Sequence, residues 1–210
     1  VRIGVLALQG DFARHLEVLS SLQVENCEVR SPEQLEEIDG LIIPGGESTT
    51  MTRIMRAEGW LQELKKWSEH HPVFGTCAGL ILMASKVDDP RVEPLGCLPI
   101  RALRNAYGAQ VWSFQDVGTV TGLPGHPEME MIFIRAPKFE VLSGDLEVLG
   151  RCRGEAVLIR KGHHLAATFH PELAGETRVH RYWIDLIQTG AKGGLPLAEA
   201  PARRMPPSAL

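Results

Sequence analysis

The 210-residue sequence has no excess of positive charge: 22 Lys+Arg stand against 26 Asp+Glu, a formal net charge of −4. Neutralising a run of phosphates takes clustered cations, so nucleic acid is not an expected partner. Long apolar runs are missing too, and even Leu80-Ile81-Leu82-Met83-Ala84 falls far short of the roughly 20 residues that cross a bilayer. No membrane partner is expected. No basic segment followed by an apolar one precedes the opening Arg2-Ile3-Gly4-Val5-Leu6, which leads to the expectation of a cytoplasmic protein. The four cysteines, Cys27, Cys77, Cys97 and Cys152, are scattered with no C-x-x-C pair, which argues against zinc ligation and against a disulfide framework. Neither a Gly-Lys-Ser/Thr loop nor G-x-G-x-x-G follows a strand, so a nucleotide cofactor is not indicated either. No repeat of solenoid length is present. With 44% hydrophobic and 23% charged residues, the composition is that of an ordinary globular domain.

Hydrophobic periodicity then lays out the elements. Residues 5–8 form a continuous apolar run, as in a strand buried on both faces of a parallel sheet. Phe12, Leu16, Leu19 and Leu22 follow at helical spacing, with Asp11 at the N-cap position. A strand is expected at 27–30, a capping box opening a short helix at Ser31-Pro32-Glu33-Gln34, and a third strand at 40–43. Trp60, Leu64 and Trp67 mark an amphipathic helix split from an earlier one near Gly59. Residues 72–75 read as a strand and 80–84 as a helix. Strands alternating with helices predict a parallel sheet covered on both faces. Beyond residue 90, short strands at 109–114, 131–134, 156–159 and 165–169 between Gly/Pro turns predict an antiparallel extension. Residues 177–189 close the domain with a helix. The expected division is a domain over 1–190 and a flexible C-terminal tail, 191–210, rich in Ala, Gly and Pro.

Gly75-Thr76-Cys77-Ala78-Gly79 lies between a predicted strand and a predicted helix, the setting of a nucleophile elbow with Cys in place of Ser. A sharp turn lifts the side chain off the sheet, and the N–H of Ala78 is free to bind an oxyanion. Cys27, Cys97 and Cys152 lack flanking glycines and read as core filler. A thiol is only a few per cent ionised at neutral pH, so a base is needed beside it. Among eight histidines, His170 in His170-Pro171-Glu172 follows a buried run, and side chains two apart on a strand point the same way. Glu172 would then orient His170, completing Cys77-His170-Glu172. His126-Pro127-Glu128 repeats the tripeptide among Gly122, Pro124 and Gly125, and reads as a surface turn. His163 and His164 are also expected in a turn, and His70 and His71 at a helix end. A His-x-Glu resembles the zinc-deaminase pattern, but its downstream C-x-x-C is missing, so no metal is expected. Pro44-Gly45-Gly46-Glu47-Ser48 has two readings, phosphate cradle or oxyanion wall. Its place at a strand's carboxyl end suits the second, with Gly45 and Gly46 offering backbone N–H groups.

Together, Leu6-Ala7-Leu8-Gln9-Gly10, Pro44-Gly45-Gly46-Glu47-Ser48-Thr49-Thr50-Met51, Gly75-Thr76-Cys77-Ala78-Gly79-Leu80, Arg104-Asn105-Ala106-Tyr107-Gly108, Phe133-Ile134-Arg135-Ala136-Pro137 and His170-Pro171-Glu172-Leu173 carry a resemblance. Over residues 1 to about 190 the chain resembles the glutaminase subunits of pyridoxal 5'-phosphate synthase, a branch of the triad-type glutamine amidotransferases. The resemblance implies a flavodoxin-like α/β fold and hydrolysis of L-glutamine to glutamate and ammonia. It also implies delivery of the ammonia to a (β/α)8-barrel synthase subunit, within a large mixed assembly that activates the glutaminase. Cys77 matches the nucleophile, His170 the general base and Glu172 the triad carboxylate. Gly46, Glu47 and Ser48 match the glutamine-binding loop, joined by Arg104, Ile134 and Arg135. No cofactor is implied. Ala109 and Gln115 stand where relatives often carry Arg and Glu, and the tail is longer than usual. Rival readings are a glutaminase feeding another synthase, and a non-catalytic ligand-binding or regulatory subunit of the same fold.

Overall fold

Residues 1–104 and 113–190 are described by the structure, a computed structural model of the chain. Its order is β1 (Arg2–Leu6), α1 (Phe12–Ser21), β2 (Glu25–Val29), a 3-10 turn (Pro32–Glu37), β3 (Gly40–Ile43), α2 (Ser48–Ala57), α3 (Trp60–Ser68), β4 (Val73–Thr76) and α4 (Ala78–Met83). There follow β5 (Ala84–Val87), β6 (Leu98–Leu103), β7 (Ser113–Val120), β8 (Glu128–Ile134), β9 (Lys138–Val141), β10 (Glu147–Cys152), β11 (Glu155–Lys161), β12 (His164–Ala167) and α5 (Arg178–Thr189). Nine strands form one sheet in the order β2-β1-β3-β4-β12-β11-β10-β7-β8. From β2 to β12 the neighbours are parallel, and from β12 to β8 they are antiparallel. This is the expected α/β sheet with its antiparallel extension.

Period-two alternation explains why the central strands read as unbroken apolar runs. Ile3, Val5, Ile42, Phe74 and Leu165 point into a core closed by α1 and α5. Their neighbours Leu6, Leu41, Ile43, Val73 and Ala166 point into the opposite core, under α2, α3 and α4. Both sets are fully buried, which is why these strands show no alternation of apolar and polar residues. No described helix is long and apolar enough to cross a membrane.

Several boundaries differ from expectation for local reasons. Asp11 occupies the N-cap of α1 but makes no side-chain cap; its backbone N–H instead reaches the Gly45 carbonyl at 3.3 Å. Gln34 accepts the Ser31 N–H at 3.1 Å, the predicted capping box, yet the helix it opens is a 3-10 turn. Gly59, left-handed at φ +77°, separates α2 from α3 as expected. The helix predicted at 80–84 runs over Ala78–Met83, and Ala84 opens β5. A second sheet, β5-β6-β9, covers one core and was not anticipated. Of the strand predicted at 109–114, residues 109–112 lie outside the described residues, and β7 begins at Ser113. The tail, 191–210, is also outside them.

Candidate active site

The parallel neighbours β3, β4 and β12 all end on the same side of the main sheet, and there lead into Gly45, Cys77 and His170, while β6 of the second sheet leads into Arg104. Between β4 and α4, Cys77 takes φ +48° and ψ −102°, a left-handed conformation that costs a non-glycine residue about 1–3 kcal/mol. Its glycines are there for space. A Cβ on Gly75 would lie 2.6 Å from the Gly79 carbonyl carbon, and one on Gly79 would lie 2.1 Å from the Ile43 carbonyl oxygen. The Cys77 N–H donates to the Ala167 carbonyl at 2.9 Å, which ties the turn to the end of β12.

His170 and Glu172 lie past the end of β12, in a turn rather than on a strand. The two-residue spacing therefore works for a different reason from the one the sequence suggested. The His170 N–H donates to the Ile132 carbonyl at 2.8 Å, anchoring that turn on β8. From there His170 Nδ1 meets Glu172 Oε1 at 2.7 Å. An ionised carboxylate only accepts, so Nδ1 carries the proton and Nε2 is left for Cys77. Burial opposes the His170 imidazolium, but the Cys77 sulfur and the Glu172 carboxylate outweigh it and push its pKa up to about 10. Burial likewise favours neutral Glu172, yet the imidazoles of His15 and His170 hold it at about 2.

Gly45 is the third wall. A Cβ there would lie 2.3 Å from His170 Cε1, and one on Gly46 would lie 2.5 Å from Gln9 Oε1. Gln9 Oε1 accepts the Glu47 N–H at 2.8 Å, so the loop before α1 braces the glycine loop. Glu47 caps α2, its carboxylate accepting the N–H groups of Thr49 at 3.2 Å and Thr50 at 2.7 Å. Burial works against its charge, but these donors bring its pKa down to about 2. Arg104 Nη2 donates to Glu47 Oε1 at 3.1 Å and Nη1 pairs with Asp89. Glu47 thus shapes the loop with its side chain.

Across the cleft the Cys77 sulfur is 3.7 Å from the Ile134 carbonyl. The chain then bends at Arg135, a second strained residue, at φ +45°. Gly46, Glu47, Ser48, Cys77, Arg104, Ile134, Arg135 and His170 all line this one cleft, together with Asp11 and Ile81. Among the described residues no ion pair engages Arg135.

A model of the SNO glutamine amidotransferase family matches residues 5–189. The chain belongs to that family. The pyridoxal 5'-phosphate synthase subunit PdxT of Koribacter versatilis is 48% identical over 92% of this chain and 99% of the relative. The same-named subunit of Thermotoga neapolitana is 43% identical over 90% of this chain and 100% of the relative. A crystal structure of a glutamine amidotransferase, 43% identical, superposes with a TM-score of 0.81 over 89% of this chain and 98% of its own.

Within this family member, the remaining predicted positions fall as follows. His126 is exposed, its carbonyl accepting from Arg178 at 2.5 Å. His71 stacks on Trp67, ring centroids 4.3 Å apart. His164 departs from the turn predicted for it: it opens β12, buried, with Nδ1 accepting the Val73 N–H at 3.3 Å. Burial takes its pKa down to about 3. Residues 105–108 of the Arg104 segment, and Ala109, lie outside the described residues. Gln115 bonds to Glu130 on β8. Sequence reading missed Gln9, Thr76, Asp89, His15 and His180. For His15 and His180 the available signal was a histidine on the apolar face of a helix.

Proposed function

We propose that the chain hydrolyses L-glutamine to L-glutamate and ammonia through Cys77, His170 and Glu172. The ammonia passes to a (β/α)8-barrel synthase subunit that makes pyridoxal 5'-phosphate; that relatives are named as subunits of pyridoxal 5'-phosphate synthase supports the synthase as partner. The observation that carries the chemistry is the His170 imidazole, gripped by Glu172 at 2.7 Å and turned to the strained Cys77 thiol.

Cys77 gives its thiol proton to His170 Nε2, and Sγ attacks the side-chain amide carbon of glutamine, forming a C–S bond while the carbonyl electrons move onto oxygen. The N–H groups of Ala78 and of the Gly45–Gly46 loop receive that oxyanion; loss of one such donor costs about 3 kcal/mol of barrier. His170 Nε2–H protonates the departing nitrogen, ammonia leaves, and a thioester remains. The neutral imidazole next takes a proton from water, whose oxygen displaces the sulfur and releases glutamate. Glu172 holds the tautomer throughout. Arg104 and Arg135 at the mouth complement the α-carboxylate of the substrate, and Asp11 and Glu47 its ammonium group. Synthase binding acts through the Gly45–Gly46 peptide, whose carbonyl is tied to the Asp11 N–H at 3.3 Å and must be released to turn. The cytoplasm suits four unpaired cysteines.

The test is ammonia release from L-glutamine by wild type and Cys77→Ala, each with and without the cognate synthase. Release that requires Cys77 and rises with the synthase is expected. A Cys77→Ala protein as active as wild type overturns the assignment, and release indifferent to the synthase overturns the partner.

A further inference from the structure

Two histidines that take no part in the chemistry above lie fully buried behind it. His15, on α1, and His180, on α5, are both 0% exposed. His15 Nε2 lies 3.2 Å from the Thr76 hydroxyl and 3.5 Å from Glu172 Oε1. Its other nitrogen, Nδ1, is 2.9 Å from His180 Nε2. His180 Nδ1 and Glu172 Oε2 have no hydrogen-bond partner among the described residues. Phe74 closes the site as an apolar wall, edge-on to both rings at 6.3 and 5.3 Å.

Donor and acceptor counting leaves one proton arrangement. The contact between the two rings needs a single proton between His15 Nδ1 and His180 Nε2. If His15 supplied it while neutral, its bare Nε2 lone pair would face the ionised Glu172, and His180 would hold a buried Nδ1–H with nothing to receive it. A buried donor without an acceptor costs about 1–3 kcal/mol. In the reverse arrangement His180 Nε2–H donates to His15 Nδ1, and His15 Nε2–H faces Thr76 and Glu172. His180 Nδ1 is unpartnered in either arrangement, so what decides between them is that the second spares His15 a bare Nε2 lone pair facing the Glu172 carboxylate. Burial lowers the pKa of both rings, so both stay neutral, although Glu172 and Asp11 favour the charged form of His15 and His170 opposes it.

We propose that His15 is a positioning residue for glutamine hydrolysis: its Nε2–H, fixed in that tautomer by His180 and hydrogen-bonded toward Thr76, points its positive end at Glu172 Oε1 and holds the carboxylate electrostatically in the orientation from which it grips His170. His15 Nε2 faces the same carboxylate oxygen, Oε1, that His170 grips, so that oxygen is held in place by two imidazoles instead of one, and through Thr76 the His15 ring is fixed to the residue before Cys77. One ring thereby registers the turn carrying Glu172 against the strand carrying the thiol. A misplacement of about 1 Å near reacting groups costs on the order of a hundred-fold in rate.

This inference rests on the triad assignment, so the experiment separates the two. Glutamine hydrolysis by the synthase complex is measured for wild type, Cys77→Ala, His15→Leu and His15→Gln, with thermal unfolding of each. Gln can present an N–H where His15 Nε2 stands; Leu fills the space without a donor. His15→Leu is expected to lose roughly ten- to a hundred-fold in kcat with KM unchanged. His15→Gln is expected to recover most of the loss. The low-field proton NMR signal of the His170–Glu172 hydrogen bond should weaken in His15→Leu and return in His15→Gln. Wild-type protein labelled with 15N-histidine should show His15 and His180 as neutral Nε2–H tautomers across the neutral pH range. Full kcat in His15→Leu beside an inactive Cys77→Ala overturns the inference and leaves the triad standing, whereas an active Cys77→Ala overturns the triad itself. Equal losses in Leu and Gln variants also overturn it. If His15→Leu does not fold, the tautomers decide: a proton on His15 Nδ1 is incompatible with this hold on Glu172.

Discussion

Gly45 packs directly on the ring of His170, so closely that a single methyl group at residue 45 would stand 2.3 Å from Cε1. The contact explains why a loop that also has to approach a ligand carries glycine at this position: the imidazole has already taken the space of a side chain. Gly45→Ala should therefore push the ring off its line to Cys77. The expected result is a loss of about a hundred-fold or more in kcat, with synthase binding kept, read by steady-state glutaminase assays. Wild-type activity in Gly45→Ala would mean that the ring is not in its working position.

Gly10 tests the brace on the other side of the loop. It sits at φ +100°, and a Cβ there would lie 1.9 Å from the Gly45 carbonyl oxygen. Gly10→Ala must displace the Gly45–Gly46 peptide. If turning that peptide is how the synthase activates the enzyme, Gly10→Ala should change the ratio of synthase-stimulated to free activity, and not merely scale both. Assays with and without the synthase read this ratio.

Arg104 lies between Glu47 and Asp89, and among the described residues removing it leaves Glu47 with no ion pair and Asp89 with Arg91 alone at the cleft mouth. Arg104→Gln should raise KM for glutamine by about ten-fold or more while kcat changes less. Arg104→Lys should rescue poorly, since one ammonium cannot span both acids as a guanidinium fork does.

Stability against pH is set on the acid side by buried neutral histidines. His164 and His180 have folded pKa values of about 3, well below the unfolded value near 6.5. Below pH 6.5 the unfolded chain binds these protons and the folded one does not, so stability falls as pH drops from about 6.5 toward 3. Each histidine contributes up to one proton, about 1.4 kcal/mol per pH unit. His164→Gln, which keeps an acceptor for the Val73 N–H, should make the fall in unfolding midpoint shallower. His170 acts in the opposite sense. With its folded pKa raised to about 10, its contribution is complete below pH 6.5 and is lost as pH rises toward 10. His170→Asn should therefore lose more stability relative to wild type at pH 6 than at pH 10.

Parts of the site that are local in sequence were legible there. Gly75-Thr76-Cys77-Ala78-Gly79 encodes its own turn, and His170 and Glu172 are separated by one residue. The reason given for that pair was nevertheless wrong, because β12 ends at Ala167 and a turn brings them together. Contacts between distant segments that carry no motif of their own were not legible. His15 and His180 are 165 positions apart, and each by itself reads as one polar residue on an apolar helix face. Strands β5, β6 and β9 are short and joined through long detours, so no local pattern announces the second sheet. Arg104 and Arg135 come from different sheets yet line one cleft; the family resemblance grouped them, though no local pattern in the sequence does.

In the order of the main sheet, β8 is the far edge, five places from β4, yet its carbonyls meet both His170 and Cys77. The last strand of the sheet thus returns beside its middle, and two carbonyls of its edge, those of Ile132 and Ile134, face His170 and Cys77 instead of another chain. One wall of the cleft beside the thiol is therefore the end of an edge strand, and a ligand seated in that cleft rests on the rim of the sheet as well as on its middle.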